Sequence, residues 1–357
     1  MTSHYSMIDQ DNKTSQSLTK KKIKNMSHIS VKLDDIENYT ITALVKHGAS
    51  SWNAKEVAKA VRVAEAEENK ICGLYYLESY CNQLQSNRVD GLVEPIVSQP
   101  KSGCVAVDAQ NGFAQAAFAK GLNSALSVAK ENGICLFTIS HSHTCTSLGY
   151  FTSRIAKHGF IAIGSTNAPA CVAPPGGNEA LLGTNPIAMA IPSSNKNIAF
   201  QFDQSTSAIA IGKIRMAAAA GESIPDGWAI DQNGAPTTDA NAALKGSLLS
   251  SGGYKGYGFG LMAEVLASAL TGSVSSKEAP PLKTTDGDPH NLGQTYILID
   301  PNYNNQQKHF QDKIEALRQA VKAQPNARLP GTGKNISDEV MLEQSLWEQV
   351  QKLANYP

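Results

Sequence analysis

SSGGYKGYGFGLMA, Ser250–Ala263, carries G-x-G-x-x-A at Gly258, Gly260 and Ala263 and so imitates a dinucleotide fingerprint. That fingerprint needs a strand running straight into the glycines and an acid about 20 residues later. Here the residues in front, SSGGYK, cannot make a core strand. The Rossmann reading is therefore disfavoured. A glycine-rich turn feeding a helix can still receive an anion on free N–H groups, with Lys255 beside it. The other glycine motif, GTGK at 331–334, lacks the upstream glycine of a P-loop, so nucleotide hydrolysis is not supported.

Outward from this stretch, hydrophobic spacing sets the elements. Ser30 to Gln85 reads as helical. Leu33, Ile36 and Tyr39 open it, His47-Gly48 stops a first helix, and Ser51-Trp52-Asn53 offers a cap for the next. Asn111 to Asn132 is an alanine-rich helix ended by Gly133. ICLFTIS (134–140) and GFIAIGS (159–165) are short apolar runs rich in β-branched residues, hence buried strands. NPIAMAIPS and NIAFQFDQS predict two more strands joined by the turn SSNKN. A long helix is expected from Ser205 into MAAAAG and another from Tyr257 to Leu270. GQTYILIDP predicts a strand, and Asp312–Ala323 and Asp338–Ala354 amphipathic helices. This order, helices, a strand-rich centre, then a strand and helices, predicts a mixed α/β (α+β) fold with a discontinuous outer domain.

With 357 residues, 41% hydrophobic and 17% charged, the chain has the composition of a folded globular protein. Its 31 basic and 31 acidic residues cancel, leaving no electrostatic footprint for nucleic acid or an anionic membrane. No apolar run approaches the ~18 residues that span a bilayer. The polar segment 1–26 reads as a flexible tail, with Met26 a plausible alternative start. Six cysteines without a CxxC pair point to reduced thiols in a cytoplasmic protein.

Three segments carry candidate chemistry. HSHTC, His141–Cys145, follows a predicted strand. Histidines two apart in extended chain share a face, so a metal pair is conceivable, but no third ligand offers itself and no metal is expected. Polar residues lining a cleft fit better. STNAPACVAPPGGNEALLGTNPIAMAIP, Ser165–Pro192, is a long irregular connection of the kind that is more often functional than structural. Asp203 sits near the end of an apolar strand, either projecting a carboxylate into a cleft or capping a helix.

LLGTNPIAMAIP, FDQSTSAIAIGKI and GSLLSSGGYKGYGFGLMAEVLASALTG resemble the malate/L-lactate dehydrogenase family of NAD(P)-dependent oxidoreductases, which is distinct from the Rossmann-type lactate and malate dehydrogenases. The similarity runs from about Ser30 to about Lys334, and takes in IPDGWAIDQNGAPTTD, GQTYILIDP and RLPG. It implies a non-Rossmann, mostly antiparallel cofactor-binding sheet (136–299) and a helical outer domain from both chain ends (27–135 and 300–357). It also implies a homodimer with active sites at the domain boundary, and NADPH or NADH as cofactor. By this resemblance the cofactor lies against Ser165, Thr166 and Asn167, with Gly183-Thr184-Asn185, Lys255-Gly256, and Arg328, Pro330 and Gly331 nearby.

Two departures from the family pattern bear on the substrate. Where relatives commonly carry Ser-His-Gly-Val-x-Arg-Leu, with a proton-donating histidine and a carboxylate-binding arginine, this chain reads Ile71-Cys72-Gly73-Leu74-Tyr75-Tyr76-Leu77. The family's Asn-His-Phe-Gly is matched by His143-Thr144-Cys145-Thr146. Reducing a ketone creates an alkoxide, which needs a donor with a pKa near the working pH; reducing a protonated imine yields a neutral amine and needs none. The departures therefore point to the family's reductases of Δ1-pyrroline-2-carboxylate and Δ1-piperideine-2-carboxylate. In that reading Asp203 stabilises the iminium, Cys72 and His143 sit at the reacting centre, and Tyr76, Thr144 and Cys145 line the substrate side. The alternatives are a 2-hydroxy-acid dehydrogenase using Cys72 or His143 as acid, an isomerase or racemase pairing the thiols of Cys72 and Cys145, and an inactive ligand-binding relative.

Overall fold

The structure, a computed structural model, describes residues 27–195, 197–332 and 337–355. The expected tail with Met26 and the end of GTGK lie outside the described residues.

In chain order the elements are β1 (His28–Lys32), α1 (Leu33–Lys46), α2 (Ser51–Ala66), α3 (Leu77–Gln85), β2 (Ile96–Lys101), β3 (Cys104–Asp108), α4 (Ala114–Asn132), β4 (Ile134–Ser142), α5 (Leu148–Lys157), β5 (Ile161–Thr166), β6 (Ile187–Pro192) and β7 (Ile198–Gln204). There follow α6 (Ile211–Ala220), β8 (Ala229–Ile230), α7 (Ala240–Lys245), β9 (Ser247–Leu248), α8 (Tyr254–Glu264), β10 (Leu292–Ile299), α9 (Gln307–Lys322), β11 (Glu339–Glu343) and α10 (Gln344–Ala354). Two 3₁₀ turns, Lys70–Cys72 and Leu74–Tyr76, precede α3, and a π-helical turn, Val265–Ala269, continues α8.

Seven strands form the main sheet in the order β2-β3-β4-β10-β5-β6-β7. Only β3 and β4 run parallel; the other neighbours are antiparallel. This is the mostly antiparallel, mixed α/β architecture expected. Phe137, Tyr296 and Ala162 on the sheet pack with Phe118 of α4 and Phe151 of α5 in its core. A second core joins Ile36, Leu44, Val57, Leu77 and Tyr80 to Leu342, Trp347 and Val350, so α10 closes on α1 and α3. A third, smaller core under the Ser165–Pro192 connection gathers Val172, Leu182, Ile214, Ile224 and Leu248.

Several expectations need correction. His28–Lys32 and Glu339–Glu343 are a two-stranded antiparallel ribbon rather than helix, because chain ends remote in sequence pair only once folded. The helix after β7 begins at Ile211, since Ser205 and Ser207 bond to each other and to nearby carbonyls instead of starting a turn. Ser50 caps α2, its side chain accepting from Asn53 N–H at 3.2 Å. The strands β2 and β3 are not among the expected elements: β2 is exposed and largely polar after Ile96-Val97, and β3 is a run of only five residues, CVAVD.

Candidate active site

Asp203, near the end of β7, points its carboxylate at the start of α5. Oδ2 accepts from Gly149 N–H at 2.8 Å and from the Ser147 hydroxyl at 3.3 Å. The N-terminal N–H groups of a helix lack partners within it, and no side chain of α5 caps them. Asp203 therefore caps α5 from a different element, not the helix that follows it in sequence. Gly149 permits this approach: a Cβ there would stand 3.0 Å from Asp203 Cβ. Asp203 keeps contact with solvent, yet the protein packed around its carboxyl removes water and pushes its pKa above the usual carboxylate value. The bonds from Gly149 and Ser147 oppose that shift.

The stretch carrying Cys72 is tied to the same place. Asn69 Nδ2 donates to Ser147 Oγ at 3.4 Å, linking the 3₁₀ turn to the Asp203 cap. Leu74 N–H donates to Glu65 Oε1 at 2.7 Å, which anchors the turn on α2. Burial first, and the charge of Asp203 second, push the Cys72 thiol up to about 12. Burial raises Cys145 further, with Asp203 and Cys72 adding to the effect. Neither sulfur is a thiolate at neutral pH.

On the far side stand Tyr76, Tyr80, His143 and His290. The Tyr76 ring meets Tyr80 edge-on at 4.8 Å, Tyr80 lies 5.5 Å from His143, and His143 stacks on His290 at 4.1 Å. Gln83 Nε2 donates to the Leu282 carbonyl, so its Oε1 faces His143 Nε2 at 2.6 Å. That amide orientation puts the His143 ring hydrogen on Nε2 and leaves Nδ1 a buried, unpartnered lone pair. Burial, then neighbouring His290, push His143 well below its ordinary value. Burial likewise lowers His290 to about 3. Both rings are neutral. Thr144 N–H donates to His290 Nδ1 at 3.3 Å.

His141 and His143 do not share a face. The backbone at His141 has φ 50°, which breaks strand alternation, and its Nδ1 pairs with Asp108 at 3.0 Å. Among the described residues, no group of three or more His, Cys, Asp or Glu side chains is placed to hold a metal.

A second region gathers most of the residues expected to face a cofactor. Ala168 N–H, just after Thr166 and Asn167, donates to Asn185 Oδ1 at 3.2 Å, and Asn185 Nδ2 donates to Glu264 at 2.7 Å. Thr206, just after β7, donates through N–H and hydroxyl to Thr184 O at 2.9 and 3.1 Å. The two Thr-Asn loops, the end of β7 and α8 thus form one surface. A Cβ on Gly183 would collide with the Ala168 carbonyl, so only glycine lets the loops meet. Ser165 Oγ is buried without a partner. The first turn of α8, with Lys255 exposed and Gly256 tucked against Ser251, has no side-chain cap. Unpartnered hydroxyl, uncapped helix start and lysine together fit a dinucleotide's hydroxyls and phosphates. Pro330 instead lies against the edge of β7, its carbonyl accepting from Gln201 N–H at 3.2 Å, with Arg328 exposed and Gly331 against Gln201.

Sequence reasoning missed Gln83, Arg88, Lys283 and Tyr296. The 76-80-83 spacing, one face of a helix, was the available signal for Gln83. Arg88 and Lys283 carried none, because the segment 281–288 that unites them has no periodicity.

Comparison with known proteins identifies the family. The sequence model described as Malate/L-lactate dehydrogenase matches residues 31–349. The (2R)-3-sulfolactate dehydrogenase (NADP(+)) of Chromohalobacter salexigens is 36% identical over 309 residues, 85% of this chain and 90% of that protein. The Δ1-pyrroline-2-carboxylate reductase of Ancylobacter novellus is 36% identical over 290 residues, 80% of this chain and 84% of its own length. Among solved structures, the Δ1-piperideine-2-carboxylate reductase of Pseudomonas syringae pv. tomato superposes with a TM-score of 0.84 at 32% identity, covering 91% of this chain and 99% of that one. With its antiparallel sheet, its paired Thr-Asn loops and a family match across most of its length, the chain belongs to the malate/L-lactate dehydrogenase family.

Proposed function

We propose that this protein is an NAD(P)H-dependent reductase of cyclic imino acids, converting Δ1-pyrroline-2-carboxylate to L-proline and, with a larger ring, Δ1-piperideine-2-carboxylate to L-pipecolate. The observation that carries this reading is the Asp203 carboxylate, fixed on α5 by Gly149 N–H and tied through Ser147 and Asn69 to the turn that bears Cys72, whose thiol burial keeps protonated. When bound, a reduced nicotinamide supplies the hydrogen and electron pair that the substrate carbon receives. Ser165, Thr166, Asn167, Gly183, Thr184, Asn185, Lys255 and Gly256 would hold it, with Arg328, Pro330 and Gly331 flanking β7.

Asp203 holds the proton on the substrate nitrogen. Its carboxylate favours the protonated imine electrostatically, so the ring carbon stays electrophilic. Cys72, a neutral thiol, and Tyr76 shape the wall beside it. The outer segment (27–135 and 300–357) brings these two residues, and the cofactor segment (136–299) brings Asp203, His143, Thr144 and Cys145, so the substrate sits at their boundary. The relatives named as pyrroline-2-carboxylate reductases support the same class.

The alternatives have weaker support. His143 gives its ring hydrogen to Gln83 and is held neutral, so it is a poor proton donor to an alkoxide. Both thiols are pushed up, so neither serves as the base that a two-thiol racemase needs. Purified protein assayed with NADPH or NADH against pyrroline-2-carboxylate, pyruvate and oxaloacetate separates the classes. Turnover of the imine is expected; turnover of keto acids alone would overturn the reading, and cofactor-independent exchange at an amino-acid Cα would favour the thiol pair.

Dimerisation belongs to the same reading. On α8 and its π-helical continuation, small residues Gly256, Gly260, Ala263 and Ala267 face inward, while Phe259, Leu261, Met262, Val265 and Leu270 are exposed. An outward apolar face of this kind needs a partner, and a second copy of the chain supplies it. Among the described residues no helix is long and apolar enough to cross a membrane.

A further inference from the structure

The segment 281–288 is an exposed loop, but it is sewn firmly to the substrate side. Arg88, buried although it forms no ion pair among the described residues, donates through Nη1 to Pro281 O at 3.0 Å and to Thr284 O at 2.6 Å. Its Nε donates to Asp288 O at 3.0 Å. Between those staples the Leu282 carbonyl accepts from Gln83 Nε2 and from Tyr76 Oη at 3.4 Å. A loop with backbone fastened at 281, 282, 284 and 288 fixes where the side chain of residue 283 begins.

That residue is a lysine. Lys283 Nζ lies 5.3 Å from the centroid of the Tyr76 ring. Among the described residues it has no carboxylate within ion-pair distance, although Asp286 and Asp288 are on the same loop and influence Arg88. Its charge reaches Cys72, as does that of Asp203, with opposite sign. The thiol therefore feels one anion and one cation, carried by different parts of the fold.

We propose that Lys283 binds the carboxylate of the substrate while Asp203 faces its protonated nitrogen, so that the two charges of the site match the two charges of a cyclic imino acid. This assignment rests on the imino-acid reading above. A 2-carboxylate is one bond from the imine carbon, so the substrate carries both charges close together, and the site offers a carboxylate and an ammonium that both act on Cys72. The ammonium is exposed, and the Tyr76 ring lies close to it without neutralising it.

The test compares Lys283→Met and Lys283→Arg with the wild type in two measurements. The first is steady-state reduction of pyrroline-2-carboxylate. Lys283→Met should raise KM about 10- to 100-fold, the usual weight of a charge-assisted hydrogen bond, with a smaller change in kcat, and Lys283→Arg should recover most of the loss. The second is calorimetric titration of pyrrole-2-carboxylate, a planar carboxylate that cannot be reduced, into enzyme saturated with oxidised cofactor. Its affinity should fall in the same order, while the melting temperatures of all three proteins coincide.

A wild type that binds pyrrole-2-carboxylate through Lys283 but does not reduce the imine overturns the function and keeps the carboxylate site. A wild type that reduces the imine, with KM and affinity unmoved in Lys283→Met, overturns the lysine assignment alone. Loss in both variants together with lowered melting temperatures would make Lys283 a packing residue on Tyr76, and also overturns it. A wild type that neither binds nor reduces overturns both.

Discussion

Gly149 N–H donates to Asp203 Oδ2 at 2.8 Å, and the absent Cβ of Gly149 is what allows β7 and α5 to come that close. One carboxylate thus does two things: it caps a helix and presents a negative charge beside Cys72. The cap holds the charge in place, and the surrounding burial raises the carboxyl pKa without any anion needing to be adjacent.

Gly149→Ala should damage catalysis more than folding. The new methyl would stand 3.0 Å from Asp203 Cβ and force the carboxylate aside, whereas alanine is otherwise favourable in a helix. The carboxylate must give by a few tenths of an ångström, so kcat/KM should fall by about tenfold, less than the ~100-fold cost of a full ångström. Thermal melting beside steady-state kinetics checks it; a large drop in melting temperature with kinetics preserved would contradict the account.

Asp203→Asn should lower kcat by about 100- to 1000-fold, the range seen when a charge-stabilising group is removed. Cys72→Ala should stay within about tenfold of the wild type, because a neutral thiol supplies no proton chemistry. The reverse ranking refutes both roles. Stability should respond in the opposite sense. A carboxyl whose folded pKa is raised stabilises the fold below its unfolded pKa of about 3.9, and that contribution is lost as pH rises through the folded value. Asp203→Asn should therefore gain stability relative to the wild type across that window as pH increases, which melting curves at a series of pH values would show.

His143 and His290 predict acid sensitivity. Their folded pKa values lie below the unfolded value of about 6.5, so their contribution is complete above it and is lost as pH falls, towards about 3 for His290. Each imidazole held neutral removes about 1.4 kcal/mol of stability per pH unit across that range. Denaturant unfolding between pH 7 and 4.5 should show this slope, and His290→Gln, which can still accept from Thr144 N–H, should flatten it.

Val265→Asp places a charge in the centre of the outward apolar face of α8. If that face joins two copies, burying an unpaired carboxylate costs several kcal/mol and should weaken association by about 100-fold or more. Light scattering across a concentration series measures the shift from dimer to monomer. A wild type that is monomeric at all concentrations would end the proposal.

Much of this site was legible from local chemistry. The order of strands β4 to β7 and β10 followed from short β-branched runs, and SSGGYK in front of the glycines disfavoured a Rossmann loop because it could not form a core strand; the structure places Gly256, Gly258 and Gly260 inside α8 itself. Asp203 was visible as a carboxylate at a strand end, but which helix it capped was not. The ribbon of β1 and β11 was missed because its partners lie more than 300 residues apart, and the alternation in HISVK is only five residues long beside a strong helical pattern. Arg88 and Lys283 were missed because their importance comes from a loop whose fastening is made through backbone carbonyls, which any sequence possesses.

The sequence by itself determined the central strands β4 to β7 and β10, most of the longer helices, the replacement of histidine by Cys72 and of arginine by Tyr76, and the family these changes depart from, since all are properties of residues and their spacing. Only the tertiary structure decided the charges. It made both thiols and both stacked histidines neutral by burying them, raised Asp203 while fixing it on α5, and brought Lys283 to the ring of Tyr76. A pKa depends on the water a group loses and the charges it meets on folding, and neither is written in the neighbouring residues.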